Sequence, residues 1–208
     1  MNLSNLKQGV EILAVTKTRT AEEILPVLAK YGITKIGENR WQEAATKLSA
    51  IPAGIEKHFI GHLQTNKAKE VVRAFDVIQS VDSERLARAI EKECAVLSKV
   101  MPVYMEVNTS GEAQKGGVAL DQAEALADFI RSCPHLKLEG LMTVAMDSEN
   151  KEDVRACFKK LRGLFETLNA RGAHLKTLSM GMSQDYEIAI EEGSTMIRIG
   201  SALFGPRL

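Results

Sequence analysis

Eight short runs rich in β-branched and apolar residues alternate with longer amphipathic stretches along 208 residues, and this alternation predicts an α/β protein, a (β/α)8 barrel. Strand followed by helix, repeated, calls for parallel pairing. No Pro/Gly/Ser linker, low-complexity tract or repeat divides the chain, so one domain over residues 1–208 is expected. An open doubly wound sheet is the competing topology.

The first strand is read at Ile12–Thr16, inside "EILAVTKTRT", and it ends on Lys17 with Arg19 just beyond. Further strands follow at Thr34–Gly37, His58–Ile60, Val77–Ser80, Val103–Val107, Leu138–Thr143, Leu175–Ser179 and Thr195–Ile199. Between them, "SERLARAIEKECAVLSK", "LDQAEALADFIRS" and "EDVRACFKKLRGLFETLNARG" place apolar residues at helical spacing, and Gly172 stands at the expected stop of the last. After Ile199 only "GSALFGPRL" remains. The eighth outer position must therefore be covered by something short or left open.

Lys+Arg and Asp+Glu both count 27 and aromatic residues make up 5%, so neither a basic field nor a stacking surface for nucleic acid is present. Cys94, Cys133 and Cys157 are odd in number and widely separated, which fits a reducing compartment rather than a disulfide framework. No run approaches the roughly 18 apolar residues of a membrane span, and "MNLSNLKQG" lacks the apolar stretch of a signal peptide. A cytoplasmic protein without membrane or nucleic-acid partners is expected.

In either topology the functional rim is the carboxyl end of the strands. Lys17 stands there on the first strand, where a desolvated amine beside another cation can attack a carbonyl; a solvated strand-end lysine is the plainer reading. On the last strand, "TMIRIGSALFG" puts Met196, Arg198 and Gly200 on one face and Ile197 and Ile199 on the other. If the isoleucines face the helices, Arg198 points into the barrel, where it needs an anion or a salt-bridge partner. Ser183 precedes a helical stretch and reads as an anion site or an ordinary N-cap, and Gly200 and Ser201 lie in the neighbouring loop. "NTSGEAQKGG" carries Lys115 without the order of a P-loop and reads as a mobile cationic loop. His58 and His62 lack the glutamate of a zinc helix.

Together "AVTKT", "GENRWQE", "HFIGHLQTNK", "NTSGEAQKGGV", "GLMTVA" and "LSMGMSQDYEIAIEEGSTMIRIGSALFG" closely resemble the pyridoxal phosphate homeostasis protein family, single-domain relatives of the alanine racemase barrel. The resemblance spans residues 11 to 205. It implies a barrel of the alanine racemase N-terminal-domain type that carries pyridoxal 5'-phosphate as a Schiff base. Lys17 matches the Schiff-base lysine, Arg198 the arginine facing the pyridine nitrogen, and Ser183, Gly200 and Ser201 the phosphate cradle. Asn39, His58, Asn108 and Met142 match the remaining wall, and Lys115 a second lysine in the loop. The chain departs from the family in its shorter N-terminal segment, in Thr20 where a proline is usual, and in Arg40 where a tyrosine is usual.

An arginine does not keep the pyridine nitrogen protonated as a carboxylate does, which implies weak carbanion stabilisation. Racemases of the related fold take a second acid or base from an additional domain, and this chain ends at Leu208. The expected function is a non-catalytic pyridoxal phosphate binder, a monomer that holds the cofactor for recipient apo-enzymes and influences amino-acid and keto-acid metabolism. A small pyridoxal phosphate-dependent amino-acid racemase is the alternative. A cofactor-free Schiff-base aldolase would keep Lys17 but leave Arg198 and the anion site without purpose.

Overall fold

Apolar runs too short for helices form eight parallel strands in the computed structural model, which describes residues 9–205. They are β1 (Glu11–Val15), β2 (Lys35–Glu38), β3 (Glu56–Phe59), β4 (Val77–Val81), β5 (Met101–Asn108), β6 (Leu136–Met142), β7 (Thr177–Met182) and β8 (Met196–Ile199). Each pairs in parallel with the next, and Leu13 of β1 lies opposite Arg198 of β8, closing the sheet into a barrel. The open sheet is thereby excluded. Leu13 and Ala14, neighbours pointing to opposite faces, are both fully buried, which is why such strands read as continuous apolar runs rather than alternating ones.

The outer helices are α1 (Ala21–Tyr31), α2 (Trp41–Ala44), α3 (Ala68–Ala74), α4 (Glu84–Val96), α5 (Ala123–Ser132), α6 (Lys151–Ala170), α7 (Tyr186–Glu191) and α8 (Ser201–Phe204). Thr20, which replaces the usual proline, caps α1: its hydroxyl accepts from the Glu23 N–H and the Glu23 carboxylate accepts from the Thr20 N–H. α4 is capped by Ser83, whose hydroxyl accepts from the Leu86 N–H, and turns Leu86, Ala87, Ile90 and Cys94 inward. α6 stops before Gly172, whose φ of 77° is the left-handed end expected there. The eighth outer position is filled by α8, whose Leu203 and Phe204 pack against the cluster of Ala14, Ile24, Leu28 and Ile36.

Two differences from the expected elements matter for the mouth. β7 was expected to end at Ser179 but runs on to Met182, through Gly181 with a φ of 95°. A Cβ on Gly181 would come within 2.6 Å of the Ala189 side chain, so only glycine lets this strand end fold back over α7. The loop after β5 returns as an unexpected two-residue strand, Val118–Ala119, paired with Val107 and Asn108. Cys94, Cys133 and Cys157 are buried thiols. Among the described residues no helix is long and apolar enough to cross a membrane. The N-terminal segment read for targeting, residues 1–8, lies outside the described residues, as do residues 206–208.

Candidate ligand site at the barrel mouth

β1 ends at Val15, and the next four residues turn over the mouth. Thr18 sits at φ 64°, a conformation that a β-branched residue adopts only when its surroundings impose it. What imposes it comes from β2, from α2 and from the turn after α2. The buried ammonium of Lys47 donates to the Thr16 carbonyl (2.7 Å) and the Arg19 carbonyl (3.0 Å), one on each side of the turn. The Glu43 carboxylate accepts from the Thr18 N–H and lies 3.2 Å from Lys47 Nζ. Fully buried Glu38 completes the clamp, 2.9 Å from Lys47 Nζ and accepting from the Thr16 hydroxyl. Burial pushes the Glu38 carboxyl above its usual range, against the pull of Thr16 and Lys47.

The half-buried Lys17 held by this turn lines a cavity of about 290 Å³. Arg198 enters the same cavity from β8. Its guanidinium donates from Nη1 to the Ser179 carbonyl (2.6 Å) and hydroxyl (3.0 Å) and from Nη2 to the Thr143 carbonyl (2.7 Å). Burial pushes Arg198 down to about 10, still cationic at neutral pH, while Asp185 and Glu106 pull the other way. Met196 on the same face packs inside the barrel with Leu13, Val77, Tyr104 and Met142, as the alternation of β8 implied.

Ser183, Gly200 and Ser201 line this cavity as well. Ser183 is not the helix cap: α7 begins at Tyr186, its N-cap is Asp185, and Ser183 lies in the intervening turn. Asp185 holds that turn by accepting from the Met182 N–H at 2.5 Å. At Gly200 the nearest protein atom to an added Cβ is 3.5 Å away, so the missing side chain leaves cavity space rather than relieving a clash. Arg19 lines the cavity too and donates to the Gly205 carbonyl (3.1 Å).

Five of the residues carried by the resemblance lie elsewhere. Asn39 borders a separate hollow with Arg40, His62 and Lys67, its Oδ1 buried without a hydrogen-bond partner. Asn108 staples the loop after β5, donating to the Glu112 carbonyl (2.9 Å) and accepting from Ser110 and Gly111. Met142 and His58 are enclosed in the barrel interior. Lys115 is tied to the Ala145 carbonyl (2.8 Å) and Glu112 (2.7 Å), beside a hollow it shares with Lys160.

The model of the alanine racemase N-terminal domain matches residues 1–207. Pyridoxal phosphate homeostasis proteins from Vibrio alginolyticus and Aquifex aeolicus are 40% identical over 205 residues (96% of this chain, 88% of theirs) and 42% identical over 199 residues (95% and 87%). The chain belongs to the pyridoxal phosphate homeostasis protein family. PipY of Synechococcus elongatus, 32% identical, superposes with a TM-score of 0.91 without pyridoxal phosphate and 0.88 with it bound, each covering 97% of this chain and 95% of PipY. Alanine racemase of Clostridium difficile shares the fold at a TM-score of 0.81 and 15% identity, this chain covering 54% of it.

Several residues around the mouth of this homeostasis-family barrel escaped the sequence reading. Glu43 and Lys47 are four apart, a visible signal, but that spacing suggests a surface helix pair rather than a clamp on a neighbouring loop. Glu106 on β5 is half-buried with Gly116 against its carboxyl. Burial pushes that carboxyl up to about 7, Asp82 adds to the push and Arg198 opposes it. A carboxyl raised from 4.5 favours the fold fully below about pH 4.5 and loses that contribution as pH rises through 7. Glu106→Gln is therefore expected to raise stability by about 2–3 kcal/mol at pH 8 and to leave it near wild type at pH 4. Denaturant melts at the two pH values check this, and equal midpoints at pH 8 contradict it.

Proposed function

We propose that this chain is a cytoplasmic, non-catalytic holder of pyridoxal 5'-phosphate, which it carries on Lys17 and hands on to recipient apo-enzymes, so influencing amino-acid and keto-acid metabolism. One observation carries the reading: a single cavity collects Lys17, Arg198, Ser183, Gly200 and Ser201. The donor set suits the ligand, with an amine for an aldehyde, a fixed cation for the ring edge, and hydroxyls beside a side-chain-free glycine for a phosphate. The solved PipY complex with pyridoxal phosphate supports the same choice.

Bound pyridoxal phosphate supplies an aldehyde and an electron-withdrawing ring. Lys17 would hold that aldehyde through its side-chain amine, which must be neutral to bond carbon, and would let the cargo go when water or a free amine takes its place. Ser183 and Ser201 would hold the phosphate through their hydroxyl donors, joined by the N–H groups at the start of α8, which have no partner within that helix. Arg198, which has only N–H donors, would hold the ring nitrogen without supplying it a proton, so a negative charge developing on a bound amino acid would be poorly stabilised. That is the ground for a holder rather than an enzyme. The chain acts as a monomer.

The visible absorption spectrum of the purified protein, recorded with and without added pyridoxal phosphate, tests the reading; an unchanged spectrum overturns it. Ser183→Ala removes one hydrogen bond to a charged group, about 1.5–3 kcal/mol, and is expected to weaken binding about ten- to a hundredfold, with pyridoxal lacking phosphate bound far less well than its phosphate. Equal affinity for the two would remove the anion site. The racemase alternative is decided by α-hydrogen exchange of single-enantiomer alanine, serine and glutamate in deuterated water. Slow exchange is expected, because a placed proton-transfer group contributes about 10²- to 10⁴-fold; rapid exchange lost with Lys17 would make the protein an enzyme.

A further inference from the structure

Barrel interiors are ordinarily filled by branched aliphatic side chains, yet four strands here send polar groups inward in an unbroken series. Arg198 on β8 donates to the Ser179 hydroxyl on β7 (3.0 Å). Ser179 Oγ lies 2.7 Å from Gln79 Oε1 on β4, and Gln79 Nε2 lies 2.8 Å from His58 Nδ1 on β3. His58 Nε2 lies 2.5 Å from the Glu56 carboxylate at the opposite rim, which Lys35 also contacts at 3.0 Å. Arg198, Ser179, Gln79 and His58 are all buried.

The two ends fix the outer links, and the Gln79 amide, with its oxygen toward Ser179 and its nitrogen toward His58, fixes the two between them. An arginine can only donate, and an ionised carboxylate can only accept. Glu56 is ionised, since the bond from His58 and then Lys35 hold it down at about 2. Protons therefore point one way along the whole series, from Arg198 to Ser179, to Gln79, to His58, to Glu56. His58 must then be neutral, with its proton on Nε2 and Nδ1 accepting from the Gln79 amide. Burial pushes His58 below its usual value, in keeping with that. Such a series is costly to leave half-made.

We propose that this hydrogen-bond chain fixes the guanidinium of Arg198 at the floor of the ligand cavity, making Ser179, Gln79 and His58 positioning residues. It rests on the proposed function insofar as Arg198 faces a bound ring. His58 then acts through two intermediates rather than by touching the ligand. Beside its anchors on the Ser179 and Thr143 carbonyls, Arg198 is thereby tied through Ser179 to Gln79 and His58 on the fourth and third strands.

Nuclear magnetic resonance of the unloaded protein reads both ends, through the imidazole nitrogens of His58 and the exchange of the Arg198 guanidinium protons. In wild type His58 is expected as one neutral tautomer protonated at Nε2. Ser179→Ala cuts the link beside Arg198, so guanidinium exchange should quicken about tenfold while His58 is unmoved. Gln79→Met should quicken it as well and free the His58 tautomer. Gln79→Glu offers acceptors on both sides and should draw a proton onto His58 Nδ1. With pyridoxal phosphate added, Ser179→Ala and Gln79→Met should still load but with a displaced absorption maximum. Wild-type rates for Arg198 in both variants, at unchanged melting temperature, would overturn the proposal, as would a wild-type His58 protonated on Nδ1, which needs no variant to fold. Failure of wild type to take up pyridoxal phosphate would overturn the proposed function instead, leaving the unloaded readouts to decide this one.

Discussion

Replacing Lys17 by alanine is expected to leave the barrel folded and to weaken pyridoxal phosphate binding on the order of a hundredfold or more. The covalent link is lost while Ser183, Ser201 and Arg198 still line the cavity, so residual binding should be noncovalent and dependent on phosphate. Lys17 is half-buried at a strand end, and its loss should cost no more than about 1 kcal/mol of stability. Titration followed by absorbance and a melting curve check the two halves. Undiminished affinity in the alanine variant would remove Lys17 from the account, whereas collapse of the melting temperature would make it a structural residue.

The second large effect belongs to Lys47. Its ammonium is buried with Glu38 and bonded to the carbonyls of Thr16 and Arg19, so Lys47→Met strands a fully buried carboxylate and releases both ends of the Lys17 turn. Breaking one side of a buried pair costs about 3–5 kcal/mol. In a chain of this size that lowers the melting temperature by roughly 6–20 °C. Adding Glu38→Gln removes the stranded charge and should recover most of the stability. It should not recover loading on Lys17, because neither substitution restores the two carbonyl anchors. A Lys47→Met variant that melts and loads like wild type would show the clamp to be incidental.

Which parts of this arrangement could be read in advance follows from the range of the forces involved. Strand and helix alternation is local, so all eight strands were legible within a few residues, and Arg198 was placed inside the barrel by the isoleucines on either side of it. The end of β7 was misjudged because Gly181 carries the strand past Ser179, and the Ser183 cap because Asp185 takes that position. Lys17, Ser183, Gly200 and Ser201 were found as strand-end residues, a rule of the fold rather than of their neighbours. The Lys47 clamp and the interior chain depend on residues as far apart as Gln79 and Ser179, one hundred positions in sequence, that only barrel closure brings together. No periodicity announces such pairs. Asn39, Asn108 and Met142 came from resemblance alone, and the cavity that holds Lys17 does not include them.

Borohydride reduction of the loaded wild-type protein, followed by peptide mass analysis, locates the residue that holds the cargo. A single dominant pyridoxyl group is expected on the peptide containing Lys17, with at most a minor fraction on Lys115. A dominant label on Lys115 or Lys67, or no reducible label in protein that has taken up pyridoxal phosphate, would contradict it.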